Sequence, residues 1–509
     1  MYMTQPLHRM MREAPDAIAA IDGLDALSWQ QLRDRVARNA GALRAKGLEP
    51  GEPVAILAHN SVDYLAWILA IWWAGGVINP VNLRWAASEI AYSLDNCGTR
   101  ILIVDDKHCG MVPAIRESTS DLRRVVSTGA AGDTIESQAE WVQGIEPVED
   151  ALRKGDDHAA ILYTGGTTGF PKGVMLSHGN LAASVLGALS LNNQRVTDRY
   201  LHCAPMFHIG SLSGIFLTLF SGRCSAFLPA FEPVAMLEAI NSWEITEFFV
   251  VPTMLKMLVQ HPRFAEFDVS GIRHIRYGAS PIDGALLDHA IELFPNAHFS
   301  QAYGMTELSP VVTILGPEDH RGESRTDLRL RSAGKATATY EVRIVDAEDN
   351  EVPRGEVGEI VARGPGVMLG YWKQPEATAE ALRGGWMHTG DMGRMDEDGY
   401  VTVVDRLKDM IVTGGENVYS AEVENALAAH PAIAACAVIA APDEEWGERV
   451  HAVIVPRAGE APSPESITAH CRTLIAGYKL PRSFDFVDAL PLTAAGKVDK
   501  NALRKTLKG

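Results

Sequence analysis

Residues 162 to 173 read Leu-Tyr-Thr-Gly-Gly-Thr-Thr-Gly-Phe-Pro-Lys-Gly, and the apolar run Ala159-Ala160-Ile161-Leu162 leads straight into them. A strand that opens into such a turn constrains the fold, because its glycines need space around the backbone at a strand end. Gly165, Gly166 and Gly169 accept backbone angles that other residues resist, so successive N–H groups can turn toward an anion. Thr164, Thr167 and Thr168 add hydroxyl donors, and Lys172 adds a mobile positive charge. The pattern is that of a phosphate cradle. It differs from the P-loop, which needs Gly, four residues, Gly, Lys and then Ser or Thr. Here Pro171 precedes the lysine and Gly173 follows it, so no hydroxyl stands where a P-loop places its magnesium ligand.

Strand and helix patterns alternate on both sides of this loop. Leu27 to Lys46 has a helical pattern, while Val54 to Ala58 and Ile101 to Asp105 read as short strands, which favours an α/β architecture with buried sheets. With 509 residues, and roughly 100 to 200 per domain, several packed units are expected. From about Tyr340 short strands separated by Pro/Gly turns predict a small β-rich, barrel-like subdomain: 341–345, 358–362 and 399–404. The charged break Asp405–Asp409 sets the expected boundary: an N-terminal domain over 1–404, a hinge at 405–409 and a C-terminal lid over 410–509. The lid reads as α+β, with helices at about 420–430 and 464–475 and strands at 434–440 and 450–456. Ser463 is placed to cap the second helix, with Pro464 at its first position.

Acidic residues outnumber basic ones by 64 to 46, and the formal charge of −18 repels nucleic acid across the surface as a whole. The largest basic cluster, Lys497, Lys500, Arg504, Lys505 and Lys508, reads mainly as the solvated face of a terminal helix, with a small share left to attract phosphates. Six scattered cysteines without Cys-x-x-Cys spacing read as free thiols of a reducing compartment, which together with a polar N-terminus lacking an apolar signal core points to the cytoplasm. The apolar stretch Tyr64 to Ile78 is shorter than the roughly 20 residues a membrane helix needs. Trp67, Trp72 and Trp73 there read as core or subunit-contact residues, and the second reading carries the expectation of a homodimer.

Six further motifs follow the loop in order: Ala204-Pro205-Met206-Phe207-His208, Tyr277-Gly278-Ala279-Ser280-Pro281, Gln301-Ala302-Tyr303-Gly304-Met305-Thr306-Glu307, His388-Thr389-Gly390-Asp391, Asp405-Arg406-Leu407-Lys408-Asp409 and Pro491-Leu492-Thr493-Ala494-Ala495-Gly496-Lys497. Together they resemble the adenylate-forming superfamily of acyl-CoA and aryl-CoA synthetases, luciferases and peptide-synthetase adenylation domains. Only the first third of the chain carries no motif. The chain departs from the family at Gly165, which replaces the usual serine of the loop and removes one hydroxyl donor. Altered nucleotide affinity is expected there, with the backbone cradle retained.

The resemblance implies roles residue by residue. Thr164, Gly165, Gly166, Thr167, Thr168, Gly169 and Lys172 hold the departing phosphates of ATP. Gly278, Ala279, Ser280, Gln301, Ala302, Tyr303, Gly304 and Met305 line the adenine site and pocket floor. Thr306 contacts the α-phosphate, and Glu307 coordinates Mg2+, a hard cation suited to carboxylate oxygen. Asp391 accepts the ribose hydroxyls with help from Arg406. Lys497, on the mobile lid, bridges the attacking carboxylate and the α-phosphate. The lid turns at Lys408, and Gly414, Gly415 and Glu416 then line the tunnel for CoA.

His208 stands at the entrance of the acyl pocket, where a neutral imidazole can contact the carboxylate or a ring. Small residues at Gly210, Gly278, Ala279 and Gly304 and apolar ones at Met206, Ile209 and Met305 favour a hydrophobic monocarboxylate, fatty or aryl. The expected activity is an AMP-forming acid:CoA ligase. Two alternatives stay open: an adenylating enzyme that passes its acyl group to a carrier protein or an amine, and an inactive nucleotide-binding regulatory protein on the same fold.

Overall fold

The computed structural model describes all residues except 24, 130, 131, 133, 165–170, 191–196, 322, 323, 414, 415, 444, 445, 494–497, 508 and 509, and only the backbone of Lys408. The chain divides into two compact units, Met1–Val342 with Ala362–Met387, and Arg343–Val361 with His388–Gly509. By packing alone, the β-rich segment expected from residue 340 therefore groups with the C-terminal hundred residues. The hinge expected at 405–409 concerns motion rather than packing.

In chain order the strands of the first unit are β1 (Ile18–Asp22), β2 (Asp25–Ser28), β3 (Pro53–Leu57), β4 (Val77–Pro80), β5 (Ile101–Val104), β6 (Arg124–Ser127), β7 (Glu136–Ser137), β8 (His158–Thr164) and β9 (Lys172–Ser177). There follow β10 (Arg199–His202), β11 (Cys224–Phe227), β12 (Glu247–Val250), β13 (His274–Gly278), β14 (His298–Gly304), β15 (Val311–Leu315) and β16 (Lys335–Ala336). The second unit carries β17 (Glu341–Val345), β18 (Gly358–Arg363), β20 (Met387–Met395), β21 (Val401–Arg406), β22 (Ile411–Thr413), β23 (Glu416–Val418), β24 (Ile433–Asp443), β25 (Gly447–Pro456) and β26 (Ser483–Phe486), while β19 (Gly370–Tyr371) returns to the first.

Two large sheets build the first unit, in the orders β19-β9-β8-β4-β3-β5-β6-β7 and β16-β15-β14-β13-β12-β10-β11-β1-β2. Strands β3 to β6 run parallel, as do β10 to β14. All residues of β3, β4 and β5 are buried, as expected of strands covered on both faces and written as near-continuous apolar runs. Both sheets are doubly wound. In the first, the chain goes from β3 outward to β4 and then back to β5 on the other side, so the strand order reverses between β3 and β5; in the second it reverses between β10 and β12. Ligands of such sheets bind at these reversals, beyond the carboxyl ends of the strands.

The Trp-rich segment forms the helix Val62–Ala74. Ser61 caps its start by accepting from Tyr64 N, and Gly75, at φ 95°, ends it in the left-handed conformation that glycine tolerates. Every residue of it but Asp63 is buried. The indole N–H groups are satisfied inside the unit: Trp67 donates to Gln138 Oε1 at 2.9 Å, Trp72 to Ala159 O at 2.8 Å and Trp73 to Val148 O at 2.7 Å. Trp72 also packs on Phe216, ring centroids 5.7 Å apart. These are core residues, so the helix offers no subunit contact and the ground for expecting a homodimer falls away.

In the second unit β17-β18-β20-β21 form a sheet, and β23-β22-β25-β24 with β26 form another. Among the described residues the four-stranded sheet keeps an open order and does not close into the expected barrel. Helices Ser420–Ala428 and Pro464–Arg472 lie against the five-stranded sheet around Ile411, Val423, Leu427, Val438, Ile454 and Ile467. Ser463 does cap the second, accepting from Ser466 N. The terminal helix Lys500–Thr506 is less solvated than its sequence suggests. Lys500 Nζ meets Glu424 Oε1 at 2.7 Å, and Arg504 Nη2 meets Asp409 Oδ1 at 2.7 Å, so these two cations of the basic cluster are paired within the unit.

Several titratable groups are buried in the first unit. Glu247 is enclosed by Arg223 and Arg276, at 2.6 and 2.8 Å. Burial opposes its ionisation, but Arg276, Arg223 and His274 outweigh it and hold the carboxyl at about 2. Burial, with Arg153 adding to it, pushes His178 down to about 4; burial, with Arg325 and Arg321, takes His320 to about 4; and burial reinforced by Arg223 takes His202 to about 3. These imidazoles are neutral in the fold and gain protons only on unfolding below pH ~6.5, so their contribution is full above that value and is lost as pH falls toward 4. Each costs roughly 1.4 kcal/mol per pH unit in that window. Thermal unfolding followed by circular dichroism should give a steady midpoint from pH 8 to 7 and a steep fall from pH 6.5 to 4.5; a flat midpoint down to pH 5 would contradict neutral buried histidines.

Candidate functional site

The glycine/threonine loop is closed by a hairpin. Strands β8 and β9 are antiparallel, with Thr164 opposite Lys172 and Tyr163 opposite Gly173. Lys172 is thus the first residue of a strand, and its ammonium lies 4.8 Å over the ring of Tyr371. Gly165, Gly166, Thr167, Thr168 and Gly169 lie outside the described residues. Tyr371 sits on β19, opposite Val174 of β9, and its hydroxyl donates to Glu307 Oε1 at 2.9 Å. Burial, then the Glu307 charge, hold the phenol far above its ordinary pKa, so it remains a donor. One aromatic side chain therefore touches both the cradle lysine and the expected metal carboxylate. Sequence reading missed Tyr371 because Gly370-Tyr371-Trp372 looks like ordinary core.

The carboxyl ends of β10, β13 and β14 carry the next three motifs, on the edge where α/β sheets bind ligands. After β10 come Ala204 to His208, and His208 precedes the helix Ile209–Ser221 with its ring 4.4 Å from that of Phe207. Asn60, beyond the end of β3, fixes this loop: its Nδ2 donates to Ala204 O at 2.9 Å, and its Oδ1 accepts from Met206 N at 2.9 Å. Nothing in the sequence flags that asparagine.

At the end of β13, Gly278 lies so near Ala302 of β14 that a Cβ would stand 2.3 Å from the carbonyl oxygen. Ala279 follows with φ 67°, a left-handed conformation that costs a non-glycine residue on the order of 1 kcal/mol and that collects at ligand sites. Tyr277 donates its hydroxyl to His320 Nε2 at 2.8 Å while His320 Nδ1 donates to Gly316 O at 2.7 Å, which anchors this strand end. Gln301, Ala302, Tyr303 and Gly304 close β14, and a Cβ on Gly304 would fall 1.7 Å from Pro310 O. Met305 precedes the 3-10 turn Thr306–Leu308, and Glu307 is buried in it. Ser280 follows Ala279 at intermediate exposure. A buried carboxylate with an orienting phenol is a hard-oxygen donor that suits Mg2+.

In the second unit Asp391 on β20 stands opposite Arg406 on β21, with Arg406 Nε 3.5 Å from Asp391 Oδ1. The turn before it is held from below. Glu359 accepts from His388 Nδ1 at 2.9 Å and from Gly390 N at 3.0 Å, and Thr389 Oγ1 accepts from Asp391 N at 3.1 Å. Lys408 lies in the 3-10 turn Leu407–Asp409, and Glu416 opens β23. Gly414, Gly415 and Lys497 lie outside the described residues. The backbone on either side of Lys497 is pinned by the bridge between Leu492 and Val498, and by Asp499 N donating to Pro491 O at 2.8 Å.

Two doubly wound sheets that carry these loops beyond strand carboxyl ends have the arrangement in which α/β proteins bind ligands. Comparison with known proteins narrows the class. Residues 7–372 match the family described as AMP-binding enzyme, and residues 422–497 match the AMP-binding enzyme C-terminal domain. A feruloyl-CoA synthase of Amycolatopsis sp is 40% identical over 499 residues, 98% of this chain and 97% of that one. A fatty acid–[acyl-carrier-protein] ligase, ScoC of Streptomyces coeruleorubidus, is 36% identical over 94% of this chain and 91% of its own. The solved structure of ATP-bound MatB from Rhodopseudomonas palustris is similar at a TM-score of 0.88 and 31% identity, covering 100% of this chain and 99% of that one. The chain belongs to the AMP-binding enzymes, the adenylate-forming family of acyl- and aryl-CoA ligases.

Tyr371→Phe keeps the ring under Lys172 and removes only the donor to Glu307. Partners that orient a metal-binding carboxylate are worth about 10- to 100-fold in affinity. Calorimetric titration of the variant with ATP should therefore show at least tenfold weaker binding in the presence of magnesium and little change without it; an equal loss in both would mean that the hydroxyl acts on the nucleotide and not through Glu307.

Proposed function

We propose that this chain is an AMP-forming acid:CoA ligase for a hydrophobic monocarboxylate, aryl or medium- to long-chain fatty. The observation that carries the reading is the retention of Lys172, Glu307, Asp391, Arg406 and Lys497 in a chain that is similar end to end to a feruloyl-CoA synthase. The aryl acid stands first because that relative is more similar than the fatty-acid ligase.

In the first half-reaction a carboxylate oxygen forms a bond to the α-phosphorus of ATP and the bond to the β-phosphate oxygen breaks, releasing pyrophosphate. Two anions must meet, so the protein's task is to hold them in line and offset their charge. Thr164 and Lys172, with the loop between them, bind the departing phosphates. Thr306 binds the α-phosphate, Asp391 and Arg406 hold the ribose, and Lys497 pairs with the incoming carboxylate. Magnesium, when bound at Glu307, neutralises phosphate charge. His208, at the reversal between β10 and β12, borders the acyl group.

In the second half-reaction the thiol sulfur of CoA forms a bond to the adenylate carbonyl carbon and AMP leaves. Lys497 must first vacate that face. A turn of the lid about Lys408 does this and presents Gly414, Gly415 and Glu416 to the pantetheine arm. The second reading replaces CoA with a carrier-protein thiol or an amine, and the similarity to ScoC is the observation that favours it. Six free cysteines support placing the enzyme in the cytoplasm.

Pyrophosphate and AMP release should be followed with ATP and magnesium over a panel of aryl, fatty and amino acids, with and without CoA. Sustained release and an acyl-CoA product only when CoA is present, greatest for a hydroxycinnamate-like or other aryl acid, is the expected result. Release indifferent to CoA supports a carrier or amine acceptor, and no release with any acid returns the chain to a binding role.

Lys497→Ala should lose at least a hundredfold in the first half-reaction, the order expected when a positioned charge is removed from a transition state. It should retain thioester formation from supplied acyl adenylate. Equal loss in both half-reactions would remove Lys497 from its assigned role.

A further inference from the structure

The helix Ala87–Cys97 ends at Gly98, which takes the left-handed conformation at φ 74°. The last carbonyls of a helix lack partners within it and form the negative end of its dipole. Here the carbonyl of Asn96 is satisfied from far along the chain: Trp372 Nε1 donates to it at 2.9 Å and Lys373 Nζ at 2.7 Å. The side chain of the same residue meets a different segment, since Asn96 Oδ1 accepts from the Tyr163 hydroxyl at 2.7 Å. One asparagine therefore joins two stretches of chain that are distant in sequence.

Both stretches border the glycine/threonine loop. Tyr163 precedes Thr164, the last residue of β8, and lies opposite Gly173 of β9, which follows Lys172. Trp372 and Lys373 follow Tyr371, whose ring lies beneath the Lys172 ammonium. Trp372 N donates to Gly173 O at 2.7 Å, and a Cβ on Gly173 would stand 3.2 Å from Tyr163 Cζ and 3.3 Å from Trp372 Cβ. Gly173 is thus gripped between the two residues that Asn96 ties together. Thr164 and Lys172, at the two edges of the loop, each adjoin a member of that grip. Lys373 has φ 54°, a left-handed conformation that a residue with a side chain keeps where its surroundings over-determine it.

A helix end needs partners for its carbonyls, but it does not need a side-chain acceptor aimed at the strand that opens the loop. Groups that bind a ligand must be held to within about 0.5 Å by neighbours whose own rotamers are locked. The bond to Asn96 Oδ1 locks the Tyr163 phenol, and the bonds to its carbonyl lock the other side.

On the assignment of this loop to the departing phosphates of ATP, we propose that Asn96 is a positioning residue of the phosphate cradle. Through Tyr163 on one side, and Trp372 and Lys373 on the other, it sets the spacing of Thr164 and Lys172.

The test compares ATP with AMP, which lacks the phosphates that the cradle would hold, by calorimetric titration of the full chain with magnesium present. Tyr163→Phe and Asn96→Leu should each weaken ATP binding roughly three- to tenfold, the net contribution of one hydrogen bond between neutral groups, and leave AMP binding as in the parent chain. The double variant should lose no more than either single one, because both changes remove the same bond. Thermal unfolding identifies a variant that fails to fold, and Tyr163→Phe, which keeps the ring against Gly173, suffices by itself. Equal weakening of ATP and AMP, or ATP binding unchanged in both single variants, would overturn the positioning role and leave the proposed function standing. A parent chain that binds neither nucleotide would instead overturn the assignment of the loop, and the positioning role with it.

Discussion

Parallel strands need crossover helices, and the helices cover both faces of the sheet. Only the strand ends are left uncovered, and this restriction organises the molecule. In both large sheets, the residues proposed to carry the chemistry stand just past a strand's carboxyl end: the loop after β8 and the segments after β10, β13 and β14. The buried apolar strands fix where those ends are. Substituting the ends can change the chemistry without touching the cores, whereas a cavity under β3 or β12 would move several ends together.

Tyr371 shows how distant parts of the chain are brought to one point. It is about 200 residues from Lys172 in sequence, yet β19 pairs with β9 and sets the phenol between that lysine and Glu307. Glu307 is held in turn by the backbone, since Met368 N donates to its carbonyl at 2.8 Å. Lys172 and the carboxylate proposed to hold magnesium are therefore parts of one packed assembly. The glycines at 278 and 304 belong to the same logic, because there the neighbouring backbone leaves no room for a side chain.

Much of this was legible in the sequence. Alternation of strand and helix announced the α/β class, the small strands 341–345 and 358–362 were placed almost to the residue, and Ser463 caps the helix it was expected to cap. Motif residues such as Gly278, Glu307 and Asp391 were visible through the ordered match to the motifs of the adenylate-forming superfamily, since each read alone is an ordinary turn or cap residue. What stayed hidden depends on tertiary contact. Asn60, Tyr371 and Glu359 are ordinary in sequence, and their roles arise from strands that meet across long separations. The pairing of Lys500 and Arg504 also escaped notice, since a basic run carries no sign of the acids that will face it.

Asp405 has a consequence for motion. Its carboxylate accepts from the backbone N–H of Ser420 and, at 3.0 Å, from that residue's hydroxyl, so a residue upstream of the proposed pivot caps the helix Ser420–Ala428 downstream of it. Turning the chain at Lys408 would pull this cap away and leave the amide of Ser420 bare. Loss of a cap is typically worth ~1 kcal/mol, several-fold in population, so this contact would latch the chain against a turn at the proposed pivot. The latch is local, and its strength can be adjusted without altering a single group that touches nucleotide or acid.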